Sequence, residues 1–297
     1  MPAATVFSRN HLVARLEGHR DRLSPSLRQV AAYVLRHYRE VAFMGVAELA
    51  RATGVSPAAV VRFSTSLGFA GYPPFQQVLR AIIRAELRQV DRFTASLQGR
   101  HPPLPQRVLQ QELDNLVALR AHADAEACAR ATGRLGEAPR VAVVGFRASA
   151  TLAHYLWYNL RKVRPDVTLH TQPGSVTIDE VTLAARGTLV VLIAFPRYAR
   201  ELVDVASLAH GAGLPTLGIT DNELSPVVPF CRDRVFVEVT EISFTDFYAA
   251  PIALLNALVA EVARRTRRRA QRRLAQLDDV AAARGYLFPA ARRRPEV

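Results

Sequence analysis

Gly45-Val-Ala-Glu-Leu-Ala-Arg-Ala-Thr-Gly-Val-Ser-Pro-Ala-Ala-Val-Val-Arg-Phe-Ser-Thr-Ser-Leu-Gly-Phe-Ala-Gly-Tyr-Pro-Pro-Phe75 is the stretch from which the rest of the chain can be read. Val46, Leu49 and Ala50 form an apolar face at helical spacing, and Thr53-Gly54 ends that helix with a residue that tolerates a left-handed backbone. Ser56 suits an N-cap and Pro57 the first helical position. Val60, Phe63 and Leu67 then point inward, and Ala58, Ala59, Arg62 and Ser66 are expected on the other side. Small residues with a single Arg let a helix sit deep in a major groove, so Ser56, Ala58, Ala59, Arg62 and Ser66 are the expected double-stranded DNA contacts. An ordinary helical hairpin would satisfy the same spacing.

Working outward, residues 1–84 read as an all-α bundle. Leu12, Leu16 and Leu23 precede a helix start at Ser24-Pro25, and Phe75, Val78, Leu79, Ile82 and Ile83 form a later apolar face. Residues 85–130 read as a polar linker, ending its first part in His101-Pro102-Pro103-Leu104-Pro105, followed by a connecting helix over roughly 106–132. From Arg140 the pattern changes to short β-branched runs: 141–144, 167–170, 189–195, 216–219 and 235–239. Continuous apolar strands alternating with helices imply an α/β, doubly wound, five-stranded parallel sheet over residues 131–263. Residues 264–297 read as a basic C-terminal tail.

The net charge of +13 over 297 residues is unevenly placed. Residues 1–100 hold 14 Arg against 6 acids and residues 261–297 hold 11 against 4, while residues 134–260 hold 11 basic against 12 acidic. Two basic ends around a neutral centre suit a chain whose ends meet a polyanion. Cys128 and Cys231 are too few for a disulfide framework and lack metal-ligand spacing. No metal or cofactor is expected. The longest apolar run, 189–195, is too short to cross a bilayer, and the N-terminal residues lack a secretory pattern, so a cytoplasmic location without membrane association is expected.

Val41-Ala42-Phe43-Met44, Glu48-Leu49-Ala50, Gly54-Val55-Ser56, Val60-Val61-Arg62-Phe63 and Leu67-Gly68-Phe69 followed by Gly71-Tyr72 and Phe75 resemble the N-terminal helix-turn-helix of RpiR-type bacterial regulators. Members often carry Thr where this chain has Ala59. The α/β part is similar to the sugar isomerase (SIS) domain that usually follows it. The matches are Val141, Val143, Gly145 and Ser149, then Ile219-Thr220-Asp221 and Ser225-Pro226. The resemblance implies phosphosugar binding, with Ser149 where such domains hold phosphate by a hydroxyl, and Thr220 and Ser225 in the matching loop after the fourth strand. One loop departs. Where the family has a run rich in Ser, Gly and Thr, this chain has Ala194, Pro196, Arg197, Tyr198 and Ala199. Arg147 and Arg197 could replace lost hydroxyls with guanidinium forks, and Tyr198 could stack on or close over a ligand.

SIS domains also occur in aldose–ketose isomerases, which need a general base. His154, His170, His210, Glu180, Glu201 and Glu241 are the candidates, and no acid–base pair is evident among them from sequence. The reading is therefore a non-enzymatic transcription regulator, a homodimer or homotetramer, that binds operator DNA and senses a small anionic metabolite (a sugar phosphate, sugar acid or carboxylate). The alternatives are a sugar-phosphate isomerase and a DNA-binding protein whose SIS-like domain only dimerises.

Overall fold

Helix-forming periodicity and two well-punctuated turns produce the helical bundle of the first unit. The computed structural model of the chain describes Leu16 and residues 23–86, 89–97, 102–223 and 225–286; Leu12, read with the bundle, lies outside them. Helices α1 (Pro25–Val41), α2 (Val46–Thr53), α3 (Pro57–Ser66) and α4 (Tyr72–Glu86) share one core, in which Val30, Val34, Leu49, Val60, Phe63, Phe75 and Leu79 are fully buried. Each such side chain removed from water is worth about 1.5–3 kcal/mol. Phe63 meets Phe75 edge to face at 5.5 Å. The α1–α2 corner is fastened from α4, whose Tyr72 hydroxyl and Gln76 amide both donate to Met44 O at 2.8 Å.

The polar stretch expected as linker contains helix α5 (Gln89–Leu97). The polar stretch around it hid it; it docks through the cationic Arg92 and the aromatic Phe93. The single connecting helix expected over 106–132 is two, α6 (Leu104–His122) and α7 (Ala125–Glu137). The break falls at Asp124, whose carboxylate accepts from Ala127 N at 2.9 Å and restarts the helix as an N-cap.

Strands β1 (Val141–Val144), β2 (Val167–His170), β3 (Leu189–Ala194), β4 (Thr216–Thr220) and β5 (Asp233–Phe236) form one all-parallel sheet in the order β2-β1-β3-β4-β5. The fifth strand begins two residues before its expected start and ends before Val237. Alternation along β3 fills two cores: Val191 and Ile193 face one side, Val190, Leu192 and Ala194 the other. Helices α7, α8 (Ser149–Val163) and α11 (Ala249–Arg265) supply the first layer; α10 (Arg200–Gly211), with α9 (Ser175–Thr182), supplies the second. The expected tail holds helix α12 (Arg267–Arg284), whose Ala270 is buried in the first layer.

Gly145 is set by close approach. A Cβ there would stand 2.8 Å from Ser149 O and 2.9 Å from Ala153 Cβ, so only glycine lets α8 start this close to β1.

Candidate functional site

Helix α3 is presented by a short, tightly closed corner. Gly54 takes the left-handed conformation that ends α2 (φ 66°), and the Ser56 hydroxyl accepts from Ala59 N at 3.2 Å to cap α3. Ser56, Ala58, Arg62 and Ser66 are exposed, as a surface facing DNA requires. Ala59 is a correction: it is only 2% exposed, because it lies four residues before Phe63 and shares that inward face. Its side chain is part of the core. Missed in its place are Val61, 40% exposed, and Thr65, which with Ala58 and Arg62 complete the outward stripe at i, i+3, i+4 and i+7. That spacing was available from the sequence. An exposed apolar residue on this stripe suits a thymine methyl.

In the sheet the connections leaving β1 and β3 run in opposite directions, because β1 lies between β2 and β3. This is the switch point where doubly wound folds hold ligands. A cavity of about 230 Å³ opens there, lined by Arg147, Ala148 and Ser149 after β1, by Pro196, Arg197 and Tyr198 after β3, and by Asp246. The N-termini of α8 and α10 border it, and neither has a side-chain cap. Ala150 N, Thr151 N and Leu202 N close turns onto Arg147 O, Ala148 O and Ala199 O, so only the leading amides of the two helices remain as donors for an anion.

Arg147, Ser149, Arg197 and Tyr198 thus come together. Arg147 and Arg197 both hold left-handed backbones, φ 54° and 66°, which costs a non-glycine residue about 1–2 kcal/mol. Arg197 Nη2 donates to Asp246 Oδ1 at 2.6 Å, while its Nε is buried without a partner among the described residues. Its guanidinium is therefore partly committed, with a donor to spare. Arg147 is exposed and makes no ion pair among the described residues. Ser149 is buried beside Tyr248, whose phenol burial makes less acidic. The Tyr198 hydroxyl donates to Asp221 Oδ1 at 2.7 Å, which turns the ring into a wall of the cavity.

Thr220 and Ser225 are corrections. Neither lines the cavity. Thr220 is fully buried and its hydroxyl donates to Ala194 O, tying β4 to the end of β3. The Ser225 hydroxyl is buried with no partner among the described residues. Asp246 was missed; it lies 49 residues from Arg197 in a segment with no motif.

The catalytic candidates scatter. His154 and His210 are exposed, against Trp157 and Phe230. One acid–base pair does form, contrary to expectation: His170 Nδ1 lies 2.8 Å from Glu180 Oε2, with Thr168 Oγ1 2.9 Å from Nε2. Burial lowers the His170 pKa, so the ring is neutral, donating from Nδ1 and accepting at Nε2. Neither partner lines the cavity. Glu241 pairs with Arg92.

A helical unit with an exposed groove-sized helix, joined to a doubly wound sheet with a cavity at its switch point, defines a two-part DNA-binding protein of the sensor type. Residues 10–85 match the helix-turn-helix domain of the rpiR family, and residues 134–261 match the SIS domain. The chain belongs to the RpiR type of helix-turn-helix transcriptional regulators that carry a SIS domain. It is 27% identical over 240 residues to the HTH-type transcriptional regulator HexR of Pseudomonas aeruginosa, covering 78% of this chain and 81% of that protein. It is also 27% identical to the bifunctional protein glk of Paraburkholderia xenovorans, covering 82% of this chain but 38% of that longer protein. Among solved structures, the Vibrio vulnificus NanR protein complexed with ManNAc-6P has a similar fold (TM-score 0.58, 20% identity, 92% of this chain and 98% of that one). The sugar isomerase domain of an RpiR transcription factor from Sphaerobacter thermophilus also matches (TM-score 0.58, 26% identity, 60% of this chain and 99% of that one). No helix among the described residues is long and apolar enough to cross a membrane.

Proposed function

We propose that this regulator binds operator DNA through α3, and that a small anionic metabolite in the switch-point cavity changes its affinity for that DNA. The observation that carries the reading is the convergence of Arg147, Arg197 and two uncapped helix N-termini on one cavity. Guanidinium groups and helix amides are complementary to phosphate or carboxylate. The volume of about 230 Å³ suits a metabolite of sugar size. The NanR complex, which holds ManNAc-6P, supports a sugar phosphate as the ligand class. Ser149 would serve as a hydroxyl contact and Tyr198 as a wall, so these four residues form the proposed ligand set. Ser56, Ala58, Arg62 and Ser66, joined by Val61 and Thr65, form the proposed DNA set.

Binding is favoured over turnover by the same geometry. The carboxylate lining the cavity, Asp246, is committed to Arg197, and the His170–Glu180 pair lies elsewhere. We further propose a cytoplasmic homodimer or homotetramer, so that paired helices meet paired half-sites about one helical turn apart or a multiple of it. The proposed limits 1–84, 85–130, 131–263 and 264–297 divide these roles by sequence position, with helices α4, α7 and α11 running across three of them. The test is a thermal-shift panel of phosphosugars, sugar acids and carboxylates, followed by operator titration with each ligand that raises the melting temperature. No melting shift across the panel, or shifts that leave operator affinity unchanged, would overturn the sensor reading.

A further inference from the structure

Residues 240–249 run past the cavity between β5 and α11; Phe247 is buried in the sheet domain's core, while polar grips on the segment come from helices α5 and α6. Asn115 of α6 grips the start: its Nδ2 donates to Thr240 O at 3.0 Å and its Oδ1 accepts from Thr240 N at 3.1 Å. Glu112 of the same helix grips the end, accepting from Tyr248 N at 3.1 Å and Ala249 N at 3.3 Å. Between these anchors the segment is held by α5. Arg92 pairs with Glu241 and donates to Ser243 O at 2.6 Å, and Phe93 meets Phe244 edge to face at 5.6 Å. The Arg92 and Glu241 side chains are only 10% and 11% exposed. A pair so enclosed is little screened by salt.

The other face of this segment reaches the cavity through Asp246, bound to Arg197. Four charges therefore lie in series: Arg197, Asp246, Glu241 and Arg92. Burial raises the Glu241 carboxyl, Arg92 and Arg197 pull it down, and Asp246 pushes it up, so Glu241 feels both ends of the series. By chain position, α5 begins three residues after α4, the last helix of the DNA-binding bundle, ends. A change at the cavity that moves residues 241–246 is delivered to that helix.

We propose that residues 240–247 carry the state of the cavity to the DNA-binding unit, with Arg92 as the positioning residue that receives it; this rests on the effector reading above. An anion that draws Arg197 away from Asp246 leaves the Asp246 carboxylate unpaired beside Glu241. Like charges then repel, and the segment shifts against Arg92 and Phe93. Coupling free energies between sites commonly correspond to factors of about 5–150 in affinity.

The test is a double-mutant cycle with no ligand present, using the full chain and an operator duplex selected in vitro from random DNA. Arg197→Met leaves the Asp246 carboxylate unpaired, as a bound anion would, and changes operator Kd by about fivefold or more. In an Arg92→Gln background the same substitution changes it less than about twofold. Asp246→Asn breaks the same pair but also removes the repelling charge, so it changes Kd by less than about twofold or in the opposite direction; Arg197→Gln stands in should Arg197→Met fail to fold. With the charges reversed by Arg92→Glu and Glu241→Arg together, Asp246 faces an opposite charge, and the response reverses in sign. Equal responses in both backgrounds, or none in either, would overturn the relay. A failed cycle with phosphosugar melting shifts intact condemns the relay alone; a coupled cycle without any melting shift condemns the effector reading alone.

Discussion

Arg197 Nη2 and Asp246 Oδ1 stand 2.6 Å apart at the rim of the cavity, both about one-quarter exposed. An incoming anion must compete with this carboxylate for the guanidinium. Asp246 therefore sets how strong an anion the site accepts, and it places a hydroxyl acceptor where a polyol could use it. Asp246→Asn removes a negative charge and keeps the shape. Binding of whichever phosphosugar gives the largest melting shift should tighten by about 1 kcal/mol, roughly fivefold, since partial exposure cuts the Coulomb energy well below its buried value. Isothermal titration measures it. Weaker binding instead would mean that Asp246 chiefly receives a ligand hydroxyl.

The recognition helix gives a second expectation. Arg62 is exposed on the stripe that also holds Val61 and Thr65. Arg62→Ala should cost about 1–3 kcal/mol and relax specificity at one base pair if it reads a base, or lower the salt slope by about one if it holds a phosphate. Val61→Ala should weaken discrimination for thymine at a single position. Ala59→Ser, by contrast, puts a hydroxyl into the core and should lower the melting temperature without changing base preference. Operator titrations across salt concentration and single-base variants separate these outcomes. Unchanged binding in Arg62→Ala removes α3 from the groove.

How much of this was legible follows from what kind of signal each feature leaves. The sheet was readable because its central strands β1 and β3 are continuous apolar runs; β5 was misplaced because Asp233 and Arg234 open it as a polar edge. Helix α5 left little signal, since what docks it is Arg92 on Glu241 and Phe93 on Phe244, partners some 150 residues away. Arg147, Arg197 and Tyr198 were named because ligands of such sheets sit outside the carboxyl ends of the strands, and Ser149 from the SIS resemblance; all four line one cavity. Asp246 and Glu112 had no local pattern to betray them, and Thr220 looked like a ligand group only because its hydroxyl's internal partner, Ala194 O, could not be seen. The Ala59 error was different. Its angle relative to Phe63 was computable from spacing alone.

Gly145 makes a prediction about packing. Gly145→Ala brings a methyl to 2.8 Å from Ser149 O, which is backbone and cannot rotate away. Helix α8 must shift, at a cost of about 1–3 kcal/mol, and Ser149 moves with it. Both the melting temperature and ligand affinity should fall, while isolated binding of DNA by the helical unit is spared. A variant as stable as the parent would mean that α8 slides freely.

His170 predicts a pH dependence. Its folded pKa lies below the ordinary value because the ring is buried, despite Glu180 beside it. The unfolded chain therefore takes up a proton first as pH falls. Stability from this group is full above about pH 6.5 and is lost progressively below that value, toward the lowered folded pKa. His170→Asn keeps a donor near Nδ1 and does not titrate. Melting temperatures between pH 7.5 and 5 should fall less steeply in the variant than in the parent, and identical slopes would exclude His170 as the cause.

Arg147 and Arg197 both keep a left-handed backbone that glycine would hold with less strain, at φ 54° and 66°. Such positions persist where the side chain is needed more than the stability it forgoes. Arg147 is the cleaner test, because it makes no ion pair among the described residues and its removal strands no partner. Arg147→Gly relieves about 1–2 kcal/mol of strain and returns part of it as unfolded-state entropy, for a net gain of about 0.5–1 kcal/mol. The same change removes a guanidinium from the anion site. Melting temperature should therefore rise in the absence of ligand while the phosphosugar-induced shift shrinks, two readings that move in opposite directions in one scan. Arg147→Ala separates the causes: it loses the guanidinium but keeps most of the strain, so it should bind as poorly as the glycine variant and melt no higher than the parent. A glycine variant that gains stability and keeps its full ligand shift would show that Arg147 contributes strain and nothing to binding.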